Sequence, residues 1–270
     1  MSGIPERIKD VQAALAEGGV VASREVKLYH TRIDGVPVTF CGTMWRDPVQ
    51  RTHRKGRFYE QDELDLLARL VGSGKTIVDI GANIGNHTLY FAKMMQAAKV
   101  VPFEPNPLAY EVLLAHVLVN GVSDVVDLSH IGQGLSDAPA EGFGMEERDR
   151  NLGAASMVED GGDISLIRAD QALGDLIPDF IKVDVEGMEI GVLRGLGDIP
   201  ARTKCLMYIE VDNENSARFV EWRDAQGLTT IHEIKRYRTS MYHLVIHADR
   251  ATEMTNKLNA VLKEMNNAEN

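Results

Sequence analysis

From residue 76 onward, short apolar runs alternate with helical periods, and this alternation constrains the fold more than any other feature of the chain. Apolar runs at 76–80, 99–104, 125–131, 164–168, 179–185 and 204–211 are separated by helical patterns at 85–97, 107–120, 170–176, 187–195 and 215–226. Strands joined through helices lie parallel and need helices on both faces, so a mostly parallel α/β sheet is expected. The last two runs, 228–235 and 241–247, are joined by a turn too short for anything but an antiparallel pair. Residues 132–163, rich in Gly, Asp and Glu, show little period and read as a long connection or insertion.

The N-terminal part reads differently. Ile4, Ile8, Val11 and Leu15 have helical spacing over 4–17, and residues 26–41 alternate around Asp34-Gly35, a strong hairpin signal. The basic stretch holding Arg46, Arg51, His53, Arg54, Lys55 and Arg57 reads as a mobile loop, a candidate lid or a site for a phosphate or carboxylate on a substrate. Lys235, Arg236, Arg238 and His243 form a weaker second candidate. A helix is expected at 61–71, closed by Gly72-Ser73-Gly74, and a polar helix with a frayed tail after residue 250. The expected organisation is an N-terminal helix, hairpin and basic loop over 1–57, a main domain over 58–250 and a helical tail over 251–270.

With 40 acidic and 29 basic residues the chain carries a net charge of −11, which argues against a nucleic-acid footprint. Cys41 and Cys205 are the two cysteines, too far apart in sequence for a zinc motif and too few for a disulfide framework. Neither a membrane span nor a signal peptide is legible, so a cytoplasmic location is expected and the oligomeric state is left open.

The segment Val78-Asp79-Ile80-Gly81-Ala82-Asn83-Ile84-Gly85 joins the first core strand to its helix, where a doubly wound sheet opens a ligand crevice. Its Gly-x-x-x-Gly spacing lacks the third glycine of a pyrophosphate-binding turn. A carboxylate such as Asp79 aimed into that turn would repel a pyrophosphate but suits the ammonium and sulfonium of S-adenosylmethionine. Glu104, ending the next strand, stands where a carboxylate accepts hydrogen bonds from ribose hydroxyls. Taken singly, Asp79 could be a helix cap and Glu104 a solvated strand end; together on consecutive strand ends they favour the cofactor. His87 and Thr88 follow as candidates for the methionine end, and Asn106, at the start of the next helix, is a further candidate cofactor contact. A parallel sheet finished by an antiparallel pair gives the expected fold class: α/β, a Rossmann-like class I methyltransferase sheet.

Six segments in order resemble the FkbM family of methyltransferases: Phe58-Tyr59-Glu60, Val78 to Thr88, Phe103-Glu104-Pro105-Asn106, Leu135-Ser136-Asp137, Asn151-Leu152-Gly153, and Ile181-Lys182-Val183-Asp184-Val185-Glu186-Gly187 followed by Glu189. The resemblance covers roughly 58–211. It implies methyl transfer from S-adenosylmethionine, commonly to a hydroxyl of a sugar, polyketide or other small molecule, with Glu60, Asp79, Gly81, Asn83, Gly85 and Glu104 as cofactor contacts.

Asp184 and Glu186 should emerge beside the first strand, Asp184 as the base that takes the acceptor's proton or as the group that orients it. Glu210 and Asp212 end the next strand and with Asp184 could form an oxygen site for a divalent cation, or could be solvated and cap the following helix. Lys182 is either an ion-pair partner or aimed at the sheet rim. The competing functional readings are a cofactor-binding paralogue without turnover, a methyltransferase acting on nitrogen or on a macromolecule, and a nicotinamide oxidoreductase. The third is disfavoured by the missing glycine, and a nucleic-acid substrate by the absence of an Asn/Asp-Pro-Pro-aromatic motif at 184–187.

Overall fold

The computed structural model describes residues 24–268 except 147, 149, 150 and 160; the helix expected at 4–17 lies outside the described residues. Strands β1 (Lys27–Ile33) and β2 (Val36–Gly42) pair antiparallel, and Asp34 and Gly35 both take positive φ, as a two-residue hairpin turn demands. The basic stretch is not a mobile loop. Asp47 caps α1 (Pro48–His53) by accepting a hydrogen bond from Gln50 N at 2.9 Å, and Val49, Gln50 and His53 are buried. An acid-then-proline helix start is a strong local signal, here masked by the surrounding cations.

After α2 (Gln61–Val71), the core alternates β3 (Thr76–Ile80), α3 (Asn86–Lys93), β4 (Lys99–Phe103) and α4 (Pro107–Val119). The strand expected at 125–131 does not form: a single bridge joins Val126 to Val100, after which Asp127 and Ser129 close a polar turn. The described part of residues 132–163 carries strands. β5 (Gln133–Leu135), β6 (Ala140–Met145) and β7 (Met157–Val158) join β8 (Ile164–Ile167) in a separate four-stranded sheet ordered β5-β8-β6-β7, which also takes the 164–168 run away from the central sheet. Then follow α5 (Ala169–Leu173), β9 (Phe180–Val183), α6 (Glu189–Gly195), α7 (Ile199–Thr203), β10 (Leu206–Asp212), α8 (Ser216–Ala225), β11 (Leu228–Ile234), β12 (Ser240–His247) and α9 (Ala248–Ala268).

The central sheet is ordered β11-β12-β10-β9-β3-β4. β4, β3, β9 and β10 are parallel and β12 alone is reversed, so the expected antiparallel finish is present. This is the class I methyltransferase arrangement. The chain leaves β3 toward β4 and later returns to β9 on the other side, which places a topological switch point between the carboxyl ends of β3 and β9. One sheet face packs on α2, α3 and α4, with Met254, Leu258 and Val261 of α9 joining that core; the tail helix is therefore amphipathic rather than polar throughout. The other face packs on α5, α6 and α8.

The hairpin is fastened to the core through His116 of α4. Its Nε2 accepts a hydrogen bond from Cys41 N and its Nδ1 donates to Ile84 O, each at 2.8 Å, which fixes a neutral imidazole. Burial lowers its pKa to about 4 from an ordinary 6.5. His116→Leu leaves a buried N–H and a buried carbonyl without partners, and urea unfolding near neutral pH should show a loss of about 2–4 kcal/mol. The unfolded chain takes up the imidazole proton first, so this stabilisation is complete above the unfolded pKa and is lost as pH falls through the interval down to the folded one. The gap between wild type and variant should narrow over that interval, and a constant gap would contradict the assignment.

Candidate active site

At the carboxyl ends of β3, β4, β9 and β10 and the amino end of the reversed β12 lies a cavity of about 470 Å³. Its floor is the turn after β3. Gly81, Asn83 and Gly85 all take positive φ, and the N–H groups of Gly81 and Ala82 both donate to Phe103 O at 3.0 Å, which wedges the turn against the end of β4. On the other side, a Cβ built on Gly81 would lie 1.7 Å from Asp184 O, so the turn and the loop after β9 touch backbone to backbone.

Of the expected cofactor contacts, Glu60, Gly81, Asn83, His87 and Glu104 line the cavity, whereas Asp79, Gly85, Thr88 and Asn106 stand behind it. Asp79 is fully buried and does not aim into the turn: Thr88 Oγ1 donates to its Oδ2 at 2.6 Å and Lys182 Nζ lies 3.4 Å from its Oδ1. Gly85 packs on Leu113, and Asn106 caps α4. Glu104 accepts hydrogen bonds from Asn83 N at 2.7 Å and Asn106 N at 2.8 Å; burial outweighs them and pushes its pKa up to about 7. Glu60, in a left-handed conformation before α2, is likewise pushed up to about 7 by burial and then by Asp184, against the pull of Arg236 at 3.2 Å. His87 is held neutral, its pKa lowered to about 4 by burial and then by Lys182, so its 3.5 Å approach to Glu60 is not an ion pair. His87 Nε2 and Asn83 Oδ1 are buried without hydrogen-bond partners.

Asp184, Glu186 and Glu210 all line the cavity. Burial raises the Asp184 carboxyl, but Lys182 first and then hydrogen bonding to Glu210 and Tyr242 outweigh it, and its pKa is lowered. Glu210 moves the opposite way through burial and the neighbouring Asp184 charge, so the pair shares one proton that resides on Glu210. Ser240 Oγ donates to Glu210 Oε1 at 2.6 Å, and Tyr242 OH donates to Asp184 Oδ2 at 3.4 Å. Glu186, left-handed and exposed at the rim, is pushed up to about 7 by burial of its carboxyl and then by Asp184 and Asp212. Asp212 does not cap the following helical turn with its side chain. Among the described residues no group of three or more His, Cys, Asp or Glu side chains is placed to hold a metal ion.

The basic stretch reaches the cavity through Pro48 and Val49; its described cations do not line it, and Arg54 instead lies 3.8 Å over the Trp45 ring. Arg236, in the second basic cluster, pairs with Glu60 and Glu63 beside the mouth, where Tyr59 and Tyr237 are hydrogen-bonded at 2.8 Å. His243 contacts Glu233 and packs on Phe219. Periodicity missed the walls given by Tyr237, Tyr242 and the insertion, where Met145, Met157 and Asn151 to Gly153 line the cavity. For the insertion the available signal was the Leu135 and Asn151-Leu152-Gly153 segments of the resemblance. Gly153 sits where a Cβ would be 2.7 Å from Asn83 Nδ2, and Asp47 Oδ2 accepts from Leu152 N at 3.0 Å, so α1 holds the insertion against the turn.

The chain is similar in sequence to known methyltransferases. Methyltransferase sdnD of Sordaria araneosa is 29% identical over 164 residues, 47% of this chain and 62% of that protein. Methyltransferase 1 of Beauveria bassiana is 29% identical over 147 residues, 45% of this chain and 58% of that protein. The match thus spans less than two thirds of either relative. Among solved structures, the methyltransferase FkbM of Methylobacillus flagellatus KT is 18% identical with a TM-score of 0.43, covering 63% of this chain and 43% of that one. The family model for the methyltransferase FkbM domain matches residues 79–248, more than half of the sequence, and the chain belongs to that family.

Proposed function

We propose that this protein transfers a methyl group from S-adenosylmethionine to a hydroxyl of a small-molecule acceptor. The observation that carries this reading is one continuous acid-lined cavity in which the glycine turn and Glu104 meet Asp184, Glu186 and Glu210. The wall fits a cationic adenosyl cofactor. Glu104 would accept from the ribose, while Glu60, Gly81, Asn83 and His87 would surround the methionine end, where two buried polar atoms lack partners. When bound, the cofactor supplies an electrophilic methyl group on a sulfonium.

The protein's own contribution is positioning and proton handling. Asp184, ionised and fixed by Lys182, Glu210 and Tyr242, is too weak a base to match neutral pH and is suited to accept the acceptor's hydroxyl hydrogen and orient its oxygen. Glu186, with a pKa of about 7, is better matched to take the proton away. Calorimetry with S-adenosylmethionine and S-adenosylhomocysteine tests the cofactor, and a screen of hydroxylated acceptors with and without a chelator tests the reaction and any divalent-cation requirement. Failure of the purified protein to bind either adenosyl ligand would sink the proposal.

The same walls predict pH-dependent binding. Glu60 and Glu104, each at about 7 in the free protein, must ionise on binding, Glu60 beside the bound cation and Glu104 to accept from both ribose hydroxyls. S-adenosylmethionine affinity should therefore fall about tenfold per group on going from about pH 8 to about pH 6. Protons should be released on binding, visible as a buffer-dependent heat; an affinity flat across this range would contradict the assignment.

A further inference from the structure

In the proposed reaction Lys182 serves Asp184 alone, yet its ammonium reaches beyond that carboxylate. The lysine sits on β9 at the centre of the sheet, 2% exposed, among Phe180, Ile181 and Val183, all fully buried. Parallel pairing sets Lys182 beside Asp79 of β3 and beside Tyr208 of β10. Its Nζ donates to Gly81 O at 2.6 Å and lies 3.4 Å from Asp79 Oδ1 and 3.6 Å from Asp184 Oδ2. Gly81 and Asp184 belong to the two segments that meet at the bottom of the cavity, the glycine turn and the loop after β9, and Asp79 lies on β3 just before the turn. The two segments also touch each other directly, since Gly81 leaves no room for a Cβ against Asp184 O.

Stability alone gives no reason for a charge here. Burying an ammonium costs heavily, and an apolar side chain of similar length would pack as well in the middle of such a strand. What requires the charge is the pair of carboxylates. Without a cation between them, Asp79 and Asp184 would face each other as like charges in a poorly solvated place, and the Asp184 loop would have no fixed seat on the turn.

We propose that Lys182 is a positioning residue that ties the Asp184 loop to the glycine turn and sets the net charge met by the sulfonium of a bound cofactor. The inference rests on the adenosyl-cofactor reading of the cavity. With Lys182 in place, the Asp79–Lys182–Asp184 group carries one net negative charge, matched to a single sulfonium. Without it, the group becomes more negative, so the cationic substrate form is held too tightly relative to the neutral thioether product.

The test is the ratio of S-adenosylmethionine to S-adenosylhomocysteine affinity, measured by calorimetry on the whole protein at about pH 8.5, where free carboxylates are ionised. K182M should raise the preference for the sulfonium by about tenfold, K182R should leave it within about twofold of wild type, and D184N should lower it. K182Q retains a donor for Gly81 O while removing the charge; it should raise the preference as K182M does, and it carries the test should K182M not fold. A purely structural lysine would weaken both ligands in parallel, so an unchanged ratio in K182M and K182Q overturns the inference. Wild-type protein that binds neither ligand overturns the proposed function instead, and the two failures are distinguishable.

Discussion

Gly81→Ala is expected to abolish adenosyl-cofactor binding, weakening it by more than about a hundredfold, a loss of roughly 3 kcal/mol or more. Two costs coincide at this residue. Gly81 has a φ of +74°, which an L side chain adopts at a cost of about 1 kcal/mol or more. The added methyl would also stand 1.7 Å from Asp184 O, a contact with backbone rather than with a flexible side-chain end. Relief requires the turn and the Asp184 loop to part, and that separates the cofactor floor from the acceptor side of the cavity. Gly121→Ala is the matched control: its φ is +64°, but a Cβ there meets nothing within 4 Å. It should cost about 1 kcal/mol in urea unfolding with little change in cofactor affinity. Equal binding losses in the two variants would mean that backbone strain, not the closeness of the two loops, shapes the site.

The parts of this architecture legible in the sequence are those whose signals are local. Asp34-Gly35 demands a left-handed turn wherever it occurs between alternating strands, and it makes one here. The 76–120 alternation is likewise set by period and by stops such as Asn120-Gly121. Errors arose where structure depends on distant partners. A strand at 125–131 needs a long ladder against β4, and after Val126 the polar Asp127 and Ser129 hydrogen-bond to one another instead. β6 and β7 hold Ala140–Met145 and Met157–Val158, a glycine-broken segment and a two-residue one, and no short-range pattern announces that β6 pairs with β8 or β7 with β6.

At the site, residue type was more legible than direction. Asp79 and Glu104 do sit on consecutive strand ends, yet Asp79 turns inward to Lys182 and Thr88 while Glu104 faces the cavity. A strand's period of two assigns a face, not a partner. Lys182 is one cation inside the otherwise apolar run Phe180–Val183; a buried parallel strand has no need of it, and that conflict marks the join between turn and loop.

Asp184→Asn and Glu186→Gln should separate orientation from proton removal. Asn keeps the size of Asp184 but loses the charge that Lys182 holds, and its amide would turn a donor toward either Glu210 or the acceptor hydroxyl. With a hydroxyl acceptor from the screen and saturating cofactor, the turnover rate should fall about a hundredfold or more while S-adenosylmethionine affinity weakens only several-fold. Saturation matters, because it removes the Glu60 and Glu104 ionisations from the profile and leaves Glu186 as the titrating group. The wild-type rate should rise with pH up to a plateau reached above about 7, as the Glu186 carboxylate forms. Exposure at the rim lets water moderate that shift, so the midpoint should lie at or somewhat below this value, never above it. Asp184→Asn should keep an acidic limb at its lower rate, moved to lower pH because the Asp184 charge that helps raise Glu186 is gone, whereas Glu186→Gln should flatten it and slow the reaction by about ten- to a hundredfold. If Asp184→Asn removes the limb and Glu186→Gln preserves it, the roles are reversed: Asp184 takes the proton and Glu186 tunes the charge at the cavity rim.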